Sequence, residues 1–193
     1  MEENIMDDPI LDLKSRARIL HRQARRLDPA ALSRLRTLPE LRNLEDGSQV
    51  DCLKRRHCLA VIARELGFEG WPHARAVLAG TASEDFGTLL YPPGADVHWN
   101  IWSANYEEAR DLREQIGGYL LAYRRHFFVV DRHFIETLGL DPDDHDWELL
   151  GRNWVKPLRL GARRRLYAKL IRNSRWAADT ATRQEGSSRR ARS

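Results

Sequence analysis

The sequence predicts an α+β protein that is predominantly helical: an N-terminal helical module followed by a small mixed module with a short antiparallel sheet. Three observations carry this. Apolar residues recur at the three-and-four spacing of a helix face through residues 10–80. After Gly80 the composition turns aromatic and β-branched, with strand-like runs at 119–123 and 128–130. Helical spacing then returns from Arg132 onward, so the second module runs in the order strand, strand, helix, hairpin, then helices. The expected organisation is a disordered acidic lead at 1–9, the helical module at 10–80, the α+β module at 86–176 and a disordered basic tail at 177–193.

The first helix is predicted over Ile10–Leu27, with Leu11, Leu13, Ala17, Ile19, Leu20 and Ala24 apolar and many arginines opposite. Asp28 is placed to cap a second helix, with Pro29 in its first position and Ala31, Leu32 and Leu35 inward. Residues 39–51 read as a loop that turns at Glu45-Asp46-Gly47-Ser48. A helical hairpin over 53–78 follows. Leu59, Ile62, Ala63 and Leu66 share a face, Gly67 suits a left-handed cap, and Phe68 can fold back on Ala63 or Ile62. Pro72 suits the first turn of the second helix, Trp71 sits at the corner, and Gly80 ends the pair.

Residues 81–85 read as a linker. Phe86–Tyr91 has the composition of a strand stopped by Pro92-Pro93-Gly94, and 98–102 reads as a short strand or extended loop. A helix is expected over Tyr106–Ile116, capped by Asn105 or Ser103 and stopped by Gly117-Gly118. The runs 119–123 and 128–130 form a hairpin around Arg124, Arg125 and His126. Short helices follow at 132–138 and after Asp141–Asp146, and a last helix runs over 158–176.

Arg64-Glu65-Leu66-Gly67-Phe68-Glu69-Gly70-Trp71-Pro72 resembles the LAREYGFxSWPxLK motif, which closes a small helical module at the front of many bacterial ankyrin-repeat and other proteins. In that family an arginine-rich helix and a short DPEALARLR-like helix come first. Residues 13–41 of this chain hold both in the same order, so the resemblance covers roughly 11–80. Gly70 departs from the pattern, which usually has Ser there. The resemblance implies a helical architecture and brings no catalytic residue with it. The second module is similar, more loosely, to bacterial proteins with a DFGTLxYPPG…HWNIWSA…GGYLLxYR pattern.

Of 193 residues, 42% are hydrophobic and 31% charged, enough for a core in one large or two small domains. No apolar run approaches the ~20 residues of a membrane span, and the start MEENIMDDPI lacks the basic and apolar regions of a signal peptide, so the cytoplasm is expected. Cys52 and Cys58 are poorly spaced for a disulfide and read as thiols. The net charge of +4 hides a strong pattern. Residues 11–80 carry 14 Lys/Arg against 8 Asp/Glu (+6), residues 81–150 carry 5 against 14 (−9), and residues 151–193 carry 13 against 2 (+11). Attraction within the fold explains such blocks, and so does an anionic partner for the basic ends.

Around the Pro-Pro-Gly turn, His98, Asn100 and Tyr91 are candidates for an acid–base site. They serve equally well as turn residues and an aromatic seal. Arg124 and Arg125 at the hairpin tip, and Arg163, Arg164, Arg165 and Lys169 on the last helix, are candidates for anion or nucleic-acid contact. The hairpin 53–78 could also act as a helix-turn-helix with His73 and Arg75 as readers. Asp141, Asp143, Asp144 and Asp146 lack the glycine and terminal glutamate of a calcium loop and fit helix capping better. No motif calls for a metal or cofactor. The expectation is a non-catalytic binding protein with a protein partner. Nucleic-acid association through the basic helices and tail is the alternative, and an enzyme using His98 the third possibility.

Overall fold

The structure, a computed structural model, describes residues 8–43, 52–92 and 95–173. It is α+β and predominantly helical, with one small antiparallel sheet. The chain divides into two compact units, Met1–Leu89 and Leu90–Ser193. Residues 1–7 of the expected lead, the expected tail at 177–193 and the end of the expected last helix at 174–176 lie outside the described residues, as do the turn at 45–48 and Pro93-Gly94. Asp8 and Pro9, expected in the disordered lead, instead cap and open the first helix.

The first unit is built from capped helices. Helix α1 (Pro9–Arg25) starts at Asp8, whose carboxylate accepts from the backbone N–H of Ile10 at 2.8 Å. Its buried stripe is Leu13, Ala17, Leu20 and Ala24. Helix α2 (Pro29–Leu35) starts at Asp28, which accepts from the Ala31 N–H at 2.8 Å. The loop expected after it contains a short 3-10 turn, Pro39–Leu41. Helix α3 (Arg55–Glu65) packs against α1 and buries Cys58, Val61 and Ile62. Cys58 is a free thiol pushed up to about 11 by burial, and Cys52 is an exposed free thiol. At the start of α3, the Nδ1 of His57 accepts from the Lys54 backbone N–H at 3.2 Å. Arg34 on α2 grips Glu65 at the end of α3 with two hydrogen bonds, at 2.8 and 2.7 Å.

Gly67 turns left-handed (φ 82°), and the Phe68 N–H returns to the Ala63 carbonyl at 3.0 Å. Helix α4 (Trp71–Ala79) follows, with Pro72 in its first turn. The segment after α4 then folds back on this corner. Thr88 donates its N–H to the Gly67 carbonyl at 3.0 Å, and Gly87 (φ 70°) lies so close to the Phe68 ring that a Cβ there would sit 2.7 Å from it. His73 joins the two sides: its Nδ1 accepts from the Glu69 N–H at 3.2 Å, so its Nε2–H donates to the Asp85 carbonyl at 3.0 Å. Both nitrogens of His73 are thereby used within the fold, which removes it as a reader of DNA bases.

Residues 86–91 do not form the expected strand. Their strand-like composition comes from burial of Phe86 and Leu90, and β-propensity measures fit to a half-buried surface rather than ladder pairing.

The second unit is organised by a three-stranded antiparallel sheet of order β1-β3-β2, with β1 Asn100–Ser103, β2 Tyr119–Tyr123 and β3 His126–Val130. Strands β2 and β3 turn through Arg124-Arg125. Helix α5 (Tyr106–Ile116), capped by Asn105, covers one face: Ala109 packs on Leu120 and Val129, with Tyr106, Leu112, Phe127 and Val155 around them. The other face carries Phe128 and Tyr119. It is covered by Phe134 from α6 (Arg132–Thr137) and Trp147 from α7 (His145–Leu150). Helix α8 (Leu160–Asn173) packs on α7.

The outer edge of β2 is covered by residues 152–154. Leu120 donates to the Arg152 carbonyl and accepts from the Trp154 N–H, both at 2.9 Å. Asn153 holds that segment, donating to the Tyr106 hydroxyl at 2.9 Å and accepting from the Val155 and Lys156 N–H groups.

Two outcomes test this account of the first unit. At Gly67 a Cβ would lie 2.0 Å from the Thr88 hydroxyl, on a backbone that L-residues avoid. Gly67→Ala should therefore lose at least about 2 kcal/mol. Gly70 has extended backbone and open space around it, so Gly70→Ser should be neutral or gain a few tenths through capping. Urea midpoints separate the two.

Burial, and then the Arg56 guanidinium, hold the His57 pKa below its ordinary value. The folded chain thus favours the neutral ring, and the stability it brings is present above about pH 6.5 and lost as pH falls through the folded pKa. Denaturant midpoints should drop from pH 7.5 to pH 5. His57→Gln, which can keep the cap without titrating, should flatten that slope.

Candidate functional site

Trp102 on β1 and Phe128 on β3 are cross-strand partners, and Leu121 on β2 partners Phe128 from the other side. The Trp102 and Phe128 rings stack with centroids 4.6 Å apart and planes 19° from parallel. A row of side chains, Leu121–Phe128–Trp102, thus crosses the sheet and ends at β1. Tyr91 packs on this row, edge-on to Trp102 at 5.1 Å, to Phe128 at 5.4 Å and to Tyr123 at 5.7 Å.

The three acid–base candidates converge here. Asn100 accepts from the Trp102 indole N–H at 2.7 Å and donates to the His98 carbonyl at 2.7 Å. The His98 ring lies edge-on to Phe134, and its Nε2 is 2.9 Å from the Thr137 hydroxyl. Thr137 gives its own proton to the His133 carbonyl at 3.0 Å, so it accepts from His98 Nε2–H. Among the described residues no carboxylate pairs with His98 to orient it as a base. The Thr137 proton is committed to a carbonyl rather than to the ring. Chemically the cluster positions an indole: Asn100 locks Trp102 and Tyr91 braces it, while the His98 carbonyl holds Asn100 and the His98 ring is taken up by Phe134 and Thr137.

The surface beside it is apolar and open. Val97, Trp99 and Trp102 are 80%, 49% and 40% exposed. At the hairpin tip, Arg124 takes φ 51° and holds its guanidinium 5.9 Å from the Tyr123 ring centre. Arg125 and His126 are exposed beside it. Among the described residues neither Arg124 nor Arg125 has a carboxylate partner.

Most other anion candidates are engaged within the fold. Asp146 on α7 is buried and accepts from Arg165 at 2.9 and 2.5 Å and from Lys169 at 2.8 Å. Lys169 also reaches Asp144 at 2.6 Å. Burial alone would raise the Asp146 carboxyl, but the hydrogen bonds and charges of Arg165 and Lys169 hold it below the usual carboxylate range. Arg163 is buried, gives Nη1 to the Trp154 carbonyl at 2.7 Å, and has its pKa lowered by that burial. Arg164 is exposed.

The aspartate run thus caps α7 through Asp144 and neutralises α8. Among the described residues no three His, Cys, Asp or Glu side chains gather as a metal site requires. The sequence reading missed Thr137, Asn153 and the edge-covering role of 152–154. The polar signal at Asn153 was present, but its partners lie up to 47 residues away.

Comparison with known protein families, curated proteins and solved structures finds no match to this chain.

Asp146→Asn should destabilise the second unit by about 1–3 kcal/mol. Breaking a buried pair costs more, but Arg165 and Lys169 are each about a third exposed and can regain water. Because the folded pKa is depressed, this contribution is full above about pH 4 and lost as pH falls through the folded value. The gap in denaturant midpoint between the wild type and the variant should therefore close in acid.

Proposed function

We propose that this is a non-catalytic binding protein and that a protein partner docks along the β1 edge of the second unit. The observation that carries the reading is an edge strand bearing exposed Trp102, with exposed Trp99 just before it and with Arg124 and Arg125, which have no carboxylate partner among the described residues, at the hairpin tip toward its Ser103 end. Aromatic rings beside arginine are the composition that concentrates binding energy at interfaces. The engagement of Asn100 and Tyr91 with Trp102, and of the His98 ring with Phe134 and Thr137, supports binding over catalysis. So does the likeness of residues 11–80 to the bacterial module that stands ahead of ankyrin repeats. No helix among the described residues is long and apolar enough to cross a membrane, and a bacterial cytoplasm is the setting we infer.

Nucleic-acid association is the second reading, favoured by the +11 balance of residues 151–193 and by Arg124 and Arg125 beside aromatic rings. One experiment separates the two. A photo-crosslinking amino acid is placed at Trp99 and, as control, at exposed His145, and the chain is irradiated in a lysate of its source cells. The binding reading expects a discrete protein adduct from position 99, none from 145, and loss of the adduct in Trp102→Thr. An adduct that nuclease removes, with oligonucleotide affinity that falls steeply with salt, would favour the second reading. No adduct at position 99 would sink the first. His98→Ala should leave any activity found in a substrate screen unchanged, and loss of such an activity would restore the third possibility, an enzyme.

A further inference from the structure

The edge of β1 has a chemistry of its own. Among the described residues it pairs only with β3, whereas the other edge of the sheet, β2, is covered by residues 152–154. In an antiparallel ladder every second residue of an edge strand directs its N–H and C=O outward. Four-residue β1 therefore offers two donors and two acceptors in alternation. A DNA strand has no backbone donors to match them, and an extended polypeptide has both.

The row Leu121–Phe128–Trp102 makes the same demand. Cross-strand rings that stack face one another along the direction between strands, so the outer face of Trp102 looks past the β1 edge. A strand added about 4.8 Å away would set a side chain against that face and continue the row.

Charge gives the third constraint. Ser103 pairs with Phe127, next to the turn, so Arg124 and Arg125 lie at the Ser103 end of the edge. Arg124 holds a left-handed backbone at which glycine would be less strained.

We propose that this edge takes an extended acidic peptide, added as a fourth strand beside β1. It would place an apolar side chain against Trp102 and carboxylates at the Arg124–Arg125 end. The inference rests on the binding reading above and names the kind of segment bound.

The test uses the full chain and two fluorescein-labelled seven-residue peptides of alternating threonine with phenylalanine or valine. They carry two glutamates at the N-terminal or the C-terminal end, which covers both strand directions. Fluorescence polarisation should show saturable binding of one of them. Binding should weaken at least tenfold when alternate backbone amides are N-methylated, and at least tenfold in Trp102→Thr. Lysines in place of the glutamates should weaken it severalfold. Arg124→Gly should also weaken it severalfold without lowering the unfolding midpoint, which keeps the test independent of folding.

Absence of binding by both peptides, equal binding of the N-methylated peptide, or indifference to both variants overturns the proposal. So does a concentration-dependent dimer lost in Trp102→Thr, or binding of oligo(dT) alone. If position 99 still crosslinks a protein while the peptides fail, strand addition falls and the binding reading stands. If position 99 crosslinks nothing, the binding reading falls with it.

Discussion

Strand β3 has neighbours on four sides. Strands β1 and β2 lie at its edges, α5 covers one face, and Phe134 with the Tyr91 cluster covers the other. Side chains alternate strictly along a strand, so Val129 enters the α5 core while Phe128 and Val130 enter the opposite one. A slip of one residue would turn Phe128 into the α5 core and Val129 away from it, and lose both. The register is therefore fixed from both sides, and the position of Trp102 follows from it. Its partner Phe128 is fully buried, so the indole has one place to stack, and the open surface at β1 is a consequence of how β3 is packed.

The segmental charges overstate what is available to a partner. Within the second unit, residues 90–150 carry 5 Lys/Arg against 12 Asp/Glu (−7) and residues 151–173 carry 8 against none (+8), and these blocks pair with one another. Asp144 and Asp146 take Lys169 and Arg165, Asp143 takes Arg132, and Glu107 takes Arg110 and Lys156. Pairing matters most for Asp146, because a buried carboxylate without cations would lose its ionisation rather than remain charged. The exposed pairs contribute little to stability, but each lowers the charge a distant anion would feel. What remains uncompensated at Arg124 and Arg125 is small in number and local in effect.

Much of the fold was legible because its signals are local. Asp28 and Asn105 cap helices through their own N–H neighbours, Gly67 and Gly80 take the left-handed caps their positions suggest, and the Tyr119–Val130 hairpin announces itself by composition. What was not legible depends on residues far apart in sequence. Residues 86–89 look like a strand because Phe86 is buried and Thr88 is β-branched, yet Thr88 spends its N–H on Gly67, 21 residues back. Arg163, Arg165 and Lys169 look like a phosphate-binding row, and only the fold places Trp154 and Asp146 beneath them. At the candidate site the sequence places His98, Asn100 and Tyr91 around one turn. It could not show that Asn100 and Tyr91 engage Trp102 and that the His98 ring engages Phe134 and Thr137.

Arg124 is where local preference and observed structure part most clearly. A two-residue turn between antiparallel strands favours glycine or asparagine at positive φ, and this chain has arginine there, at a backbone cost of about 1 kcal/mol. Trp102 is a second departure of the same kind, a large ring at the solvent edge of a sheet whose other aromatic residue in that row is buried. Arg124 takes no part in the packing of β3, and Trp102 lends Phe128 one face while remaining 40% exposed. Residues that break a local rule without serving the core are found where a surface is used. Trp102 on the edge strand β1 and Arg124 at the β2–β3 tip both lie toward the Ser103 end of the sheet, which favours the surface we propose there over the basic face of α8.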